Sequence, residues 1–189
     1  MQCTNILKTA EKLFASKGFK GTSLNDIAEE VGLRKATIYH YFKSKEEILF
    51  KIMNDEMDRA FSNLEKIKIS EIPKQDKFRE ILKFYIKYYV GHQEGLILLV
   101  NEQDNLTVEH KEILVEKQRK YVRFFYNVLS ELKSGNIIKD IPFPVITFAF
   151  FGMVHYTVNW YNGKGDITVD ELTDFFIDIL TKGIEVKNE

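Results

Sequence analysis

Residues 34–45 read Arg-Lys-Ala-Thr-Ile-Tyr-His-Tyr-Phe-Lys-Ser-Lys. Cations and hydroxyls at this density suit contact with phosphate oxygens and base edges. Lys35 is a flexible cation at the start of the segment. Ala36 is small and permits close approach to a groove wall. Thr37, Tyr39 and Tyr41 offer hydroxyls that donate to phosphate oxygens. His40 can meet a base edge or a phosphate, and Lys45 can pair with a phosphate. Ile38 and Phe42 are four apart and anchor the segment inward. A competing reading makes the aromatics simple core residues. It suits Phe42, but a short helix with aromatics on several sides cannot bury Tyr39 and Tyr41 too.

Chemistry of the bond-making kind has no comparable support. Paired carboxylates, a Gly-rich phosphate loop and a His-x-x-x-His metal pair are all missing. His40, His92, His110 and His155 are scattered. The chain is therefore not expected to be an enzyme. Cys3 is the only cysteine, which excludes an internal disulfide framework and a cysteine-rich zinc site. No metal or cofactor is expected.

The elements that must position residues 34–45 read as helices. Leu7, Ala10, Leu13 and Phe14 recur at helical spacing, and Gly18 should stop that helix. Ser23 caps a second helix with Asp26 as capping-box partner, and Gly32 ends it. Leu24, Ile27, Ala28 and Val31 form its apolar face. A third helix spans Arg34 to Phe42. Two helices joined by Val31-Gly32-Leu33-Arg34 form a helix-turn-helix, whose second helix enters the major groove. Gly32 is expected where a side chain would clash. Ser44 and Glu47 repeat the capping box before a long helix to about Lys66.

Further helices are expected over residues 78–90, 96–102 and 107–133. The last is broken by Gly135-Asn136. Pro142 opens an uncharged helix to about Tyr161, and Thr168 with Glu171 caps the final helix to about residue 184. The prediction is an all-α chain of about nine helices, divided into residues 1–45 and 46–189. Residues 141–163 lack Asp, Glu, Lys and Arg. Their dense apolar part is shorter than the about 20 residues a membrane span needs, so no membrane association is expected. The first ten residues lack the apolar run of an export signal, which points to the cytoplasm.

Gly18-Phe19, the run from Thr22 to Ala28, and the run from Gly32 to Glu46 together resemble the DNA-binding domain of TetR-family transcriptional regulators. The resemblance covers residues 3 to about 53. It implies a homodimer, usually a repressor, with an N-terminal DNA-binding domain and a C-terminal ligand-binding and dimerisation domain. Carried over by position, it implies DNA contacts from Ser23, Lys35, Ala36, Thr37, Tyr39, His40, Tyr41 and Lys45. Arg34 stands where the family often has Ser, so it either adds a phosphate contact or replaces the cap of the recognition helix.

The helix over 142–161 is apolar on several sides and needs cover all round. A partner subunit is the economical cover, and pairing the last two helices (about 142–161 and 168–184) is how the resemblance implies dimerisation. Burial wholly within one subunit is the competing reading. A ligand site is expected among the aromatics of the middle helices, with polar groups drawn from Tyr88, Asn101, Gln103, Arg119, Arg123, His155 and Asn159. His155 can equally be a satisfied core histidine. The run Asn159-Trp160-Tyr161-Asn162-Gly163, continuing to Leu172, is similar to a subgroup that includes regulators of fatty-acid degradation. That similarity implies a small apolar effector of the acyl-CoA or fatty-acid type, with Arg119 or Arg123 meeting phosphates.

The alternative is a DNA-bound scaffolding dimer that recruits a protein partner without a small-molecule ligand. Charge refines the DNA reading. The chain of 189 residues has 27 basic and 28 acidic side chains, a net charge of −1. Residues 1–45 carry eight basic and four acidic residues, or +4, and the remainder 19 and 24, or −5. A basic head on an acidic body favours specific contacts at the head over a nonspecific polyanion coat.

Overall fold

The computed structural model describes residues 2–185. The described residues form nine α-helices: α1 (Gln2–Lys17), α2 (Leu24–Val31), α3 (Lys35–Tyr41), α4 (Lys45–Lys68), α5 (Lys74–Gly91), α6 (Gln93–Asn101), α7 (Val108–Ser134), α8 (Phe143–His155) and α9 (Val169–Ile184). Short 3-10 turns follow α6 and α8, and one isolated bridge pairs Ile138 with Glu185. No helix among the described residues is long and apolar enough to cross a membrane.

The chain groups into two compact units. One takes the chain up to Asp58 together with Gln93–Glu116; the other takes Arg59–His92 and the chain from Lys117 onward. Helices α4 and α7 each begin in the first unit and end in the second.

In the first unit α1 buries Ile6, Ala10, Leu13 and Phe14. Ile6 takes the place expected for Leu7, which stays half-exposed; both fit the helical spacing, and packing selects one. In α2 only Ile27 and Ala28 are buried, and Leu24 and Val31 lie at its margins. The Ser23–Asp26 capping box is complete, with the Ser23 N–H donating to Asp26 Oδ2 at 2.7 Å. Those Ser23 hydrogen bonds hold the Asp26 carboxyl below its usual pKa.

Gly32 adopts φ +73°, and its N–H reaches the Ala28 and Glu29 carbonyls. A Cβ there would meet nothing within 4 Å. The expected clash is therefore absent, and glycine serves the left-handed backbone instead. The position that cannot hold a side chain is Gly21, where a Cβ would stand 2.4 Å from the Lys17 carbonyl oxygen. Gly32→Val should cost about 1–2 kcal/mol in urea denaturation, since the penalty is backbone strain alone. A loss near zero would show that the turn does not depend on this conformation.

The second unit is built on aromatic packing. Tyr85 of α5, Phe125 of α7 and Phe150 and Phe151 of α8 lie at ring-centroid distances of 5.1–5.9 Å. Thr168 and Glu171 complete the capping box of α9. The uncharged helix ends at His155 rather than near Tyr161, and a 3-10 turn, Tyr156–Asn159, follows. The buried Thr157 hydroxyl donates to the Val154 carbonyl at 2.6 Å within this tightened segment.

Cover of α8 within the chain is one-sided. Ile146, Thr147, Phe150, Phe151 and Val154 are buried. Val145, Phe148 and Tyr156 are 58%, 56% and 65% exposed. On α9, Phe175 and Ile179 are 57% and 63% exposed, and Gly183 continues their i, i+4 row. Burial of α8 wholly within one chain is thus ruled out.

Candidate nucleic-acid interface and effector region

Helix α3 is seven residues long and is held by Ile38, fully buried, and by Phe42 just beyond it, 6% exposed. These two fix its inner side, as their four-residue spacing predicts. Lys35, Ala36, Tyr39, His40 and Tyr41 are exposed, and Thr37 is half-buried. Arg34 takes the N-cap position, but its side chain makes no cap hydrogen bond. The guanidinium therefore does not substitute for a serine cap.

Packing gathers four of the predicted contacts around one concavity of about 340 Å³. Ser23, Lys35, Tyr39 and Lys45 line it, together with Lys20 and Asp26. Three cations face one carboxylate there. Lys35 Nζ lies 5.8 Å from the Tyr39 ring centroid, within cation–π range. Ala36, Thr37, His40, Tyr41 and Arg34 are not part of this concavity. The Tyr41 hydroxyl donates to Gln2 Oε1 at 3.0 Å, so it also ties α3 to α1.

Lys45 has a structural duty that its sequence position does not disclose. Its ammonium donates to the carbonyls of Phe19 at 2.8 Å and Thr22 at 3.0 Å, and lies 4.3 Å from the Phe19 ring centroid. An ammonium has three protons, so one remains for a phosphate. The Phe19 N–H is held in turn by Glu102 Oε1 at 3.2 Å. The loop that presents Ser23 is thus clamped at both ends of one residue. Lys20 and Glu102 were not singled out from sequence. Lys20 carries a legible signal as a cation beside the Gly21 turn, whereas Glu102 is placed only by folding.

The seven candidate effector residues divide between the two units. Asn101 ends α6 and Gln103 opens the 3-10 turn after it in the first unit, and the other five belong to the second. Asn159 is exposed, with its amide 3.4 Å from the Tyr156 carbonyl. Arg119 and Arg123 are exposed on successive turns of α7. Tyr88 is half-buried and packs on Tyr89 at 5.2 Å. His155 alone enters the aromatic core. Its Nε2 shares a hydrogen bond of 2.8 Å with the Tyr85 hydroxyl, and its ring stacks on Phe151 at 5.5 Å. Burial holds the His155 pKa down to about 4, so the ring is neutral at physiological pH. Burial likewise pushes the Tyr85 and Tyr121 phenols up, and Tyr89 donates to Tyr121 at 3.1 Å. This core is a set of neutral, partnered hydroxyl and imidazole groups within hydrocarbon.

Two family models match the chain. "Bacterial regulatory proteins, tetR family" covers residues 6–52, and "Tetracyclin repressor-like, C-terminal domain" covers residues 71–184. The chain belongs to the TetR family. As a TetR-family member it is a DNA-binding transcriptional regulator and not an enzyme. A similar relative is the HTH-type transcriptional repressor KstR2 of Rhodococcus jostii, 23% identical over 96% of this chain and 90% of that protein. The fatty acid metabolism regulator protein of Bacillus subtilis is 22% identical over 96% of this chain and 95% of its own. Among solved structures, AibR in complex with isovaleryl coenzyme A and operator DNA matches at a TM-score of 0.85. The two are 28% identical, with 96% of this chain and 98% of that one covered.

Proposed function

We propose that this TetR-family regulator is a cytoplasmic repressor that binds a palindromic operator as a homodimer and is released by a small apolar effector, an acyl-CoA or fatty acid. The observation that carries the DNA half is the concavity where Ser23, Lys35, Tyr39 and Lys45 come together beside an exposed α3. Lys35, at the start of α3, reads base edges with Ala36 and His40 beside it, and Arg34 and Thr37 add phosphate contacts. Ser23, Tyr39, Tyr41 and Lys45 hold phosphates. Repression agrees with the named activity of the KstR2 relative.

Dimerisation is supported by the exposed apolar rows of α8 and α9. The half-exposed apolar side chains of Val145, Phe148, Phe175 and Ile179 gain free energy when a second surface covers them. A second copy supplies the same rows, and two-fold pairing then fixes two heads at one spacing. The division into a DNA-binding head at 1–45 and an effector and dimerisation body at 46–189 belongs to the same reading. Helices α4 and α7 and the α5–α6 junction carry the chain between the two compact units, and they are the covalent routes by which an effector shifts the heads. Coupling of about 1–3 kcal/mol weakens operator binding by roughly 5–150-fold. The effector class is supported by the coenzyme A thioester bound to the AibR neighbour and by the name of the Bacillus subtilis relative.

Selection from random duplexes should recover a two-fold symmetric site. Lys35→Ala should then cost about 1–3 kcal/mol on that site and relax the preference at one position of each half, whereas Tyr39→Ala should weaken all sequences alike. Equal losses on selected and random DNA for Lys35→Ala would remove it from base reading.

A further inference from the structure

We infer that a groove on the second unit binds a phosphorylated nucleotide, namely the nucleotide end of a coenzyme A thioester. The identity of that ligand rests on the effector reading above. The groove holds about 580 Å³ and is walled by the C-terminal end of α4 and the middle of α7. Lys68, Lys120 and Arg123 face it, against the single carboxylate of Glu65. The formal charge is +2 on a region that is acidic overall, since residues 46–189 carry 24 acidic and 19 basic side chains.

The residues arrive in register. Phe61, Glu65 and Lys68 are spaced i, i+4, i+7 on α4, and Lys120 and Arg123 are i, i+3 on α7. Each set lies along one helix face. Between the cations the surface is apolar. Phe61 is half-buried and meets Phe124 edge to face at 5.8 Å. Ile69 is 80% exposed at the same groove. A free fatty acid has one negative charge and would use one cation. Three cations beside an aromatic ring and an exposed isoleucine suit several phosphate charges joined to a flat base. The volume is in the range of small-ligand sites, about 300–1,000 Å³.

The groove also gives Arg123 a setting that neither Arg119 nor the other effector candidates share. Lys68 and Lys120 join it only because α4 and α7 converge. Lys68 Nζ already lies 5.6 Å from the Phe124 centroid, so the ammonium is held over the aromatic wall.

Titration calorimetry of the full chain with adenosine 3′,5′-bisphosphate tests the site without the acyl chain. The bisphosphate should bind at low salt, and adenosine should bind far more weakly. Lys120→Ala with Arg123→Ala, two exposed positions, should lower the bisphosphate affinity about tenfold or more. The exposed control pair Lys74→Ala with Lys164→Ala should leave it unchanged. No binding to the unmodified protein, or equal affinity in the groove variant, would overturn the assignment. A nucleotide that binds here while acyl-CoA leaves operator binding untouched would uphold the groove and sink the effector reading. Release by acyl-CoA at the same concentrations in the groove variant would do the reverse.

Discussion

Phe175→Asp combined with Ile179→Asp should turn the protein into a monomer that folds but holds its operator about 100-fold more weakly or worse. Both side chains are more than half exposed, at 57% and 63%, so their loss removes little from the chain's own core. In a two-fold interface every substitution counts twice, and each copy would bring two carboxylates toward apolar partners. Burying unpaired charge is costly enough to separate subunits. Two linked heads gain about 10²–10⁴-fold over one through effective concentration, and a monomer forfeits that gain. Sedimentation velocity and fluorescence anisotropy on the selected duplex would read both effects. A dimer that survives the double substitution would take α9 out of the interface.

Phe125→Ala should be the most damaging single truncation in the second unit. The side chain is 1% exposed, and its ring lies within 5.8 Å of Tyr85, Phe124, Phe150 and Phe151. Removing a buried phenyl ring costs about 3–5 kcal/mol through lost transfer energy and the cavity left behind. Total stability is typically about 5–15 kcal/mol, so the unit should unfold at a markedly lower urea concentration. The midpoint should fall with little change in slope. A cost under about 1 kcal/mol would mean that the aromatic cluster repacks freely, unlike a close-packed core.

How much of this was legible beforehand depended on the range of the forces involved. The caps of α2 and α9 are local, and Ser23 with Asp26 and Thr168 with Glu171 form as their spacing predicts. At α4 the same pattern is half right. Ser44 Oγ accepts from the Glu47 N–H at 3.1 Å, but the Glu47 carboxylate takes the Lys43 N–H at 2.6 Å. In the Gly135-Asn136 break it is Asn136 that adopts the left-handed backbone, with φ +54°.

Tertiary choices were not legible. Ile6 displaces Leu7 in the core because both fit the periodicity and only the neighbouring helices distinguish them. Phe61 reads as an ordinary apolar member of α4, yet it is half-buried at the groove wall. Lys45 reads as a phosphate ligand, and its two carbonyl partners become visible only when the loop at Phe19 folds beneath it. The helix-turn-helix segment was the most legible part because it is contiguous. An effector site is the hardest part to read from sequence, because it must be assembled from several helices.

Footprinting of the upstream region of its own gene with the purified protein, at fixed salt and with increasing acyl-CoA, addresses the central claim most directly. A two-fold symmetric protected site, with half-sites one or more helical turns apart, is the predicted pattern. The protein concentration needed for half-protection should rise by roughly 5–150-fold as acyl-CoA saturates the protein. Protection without sequence preference, or a specific footprint that acyl-CoA and fatty acids leave unchanged, would contradict the account.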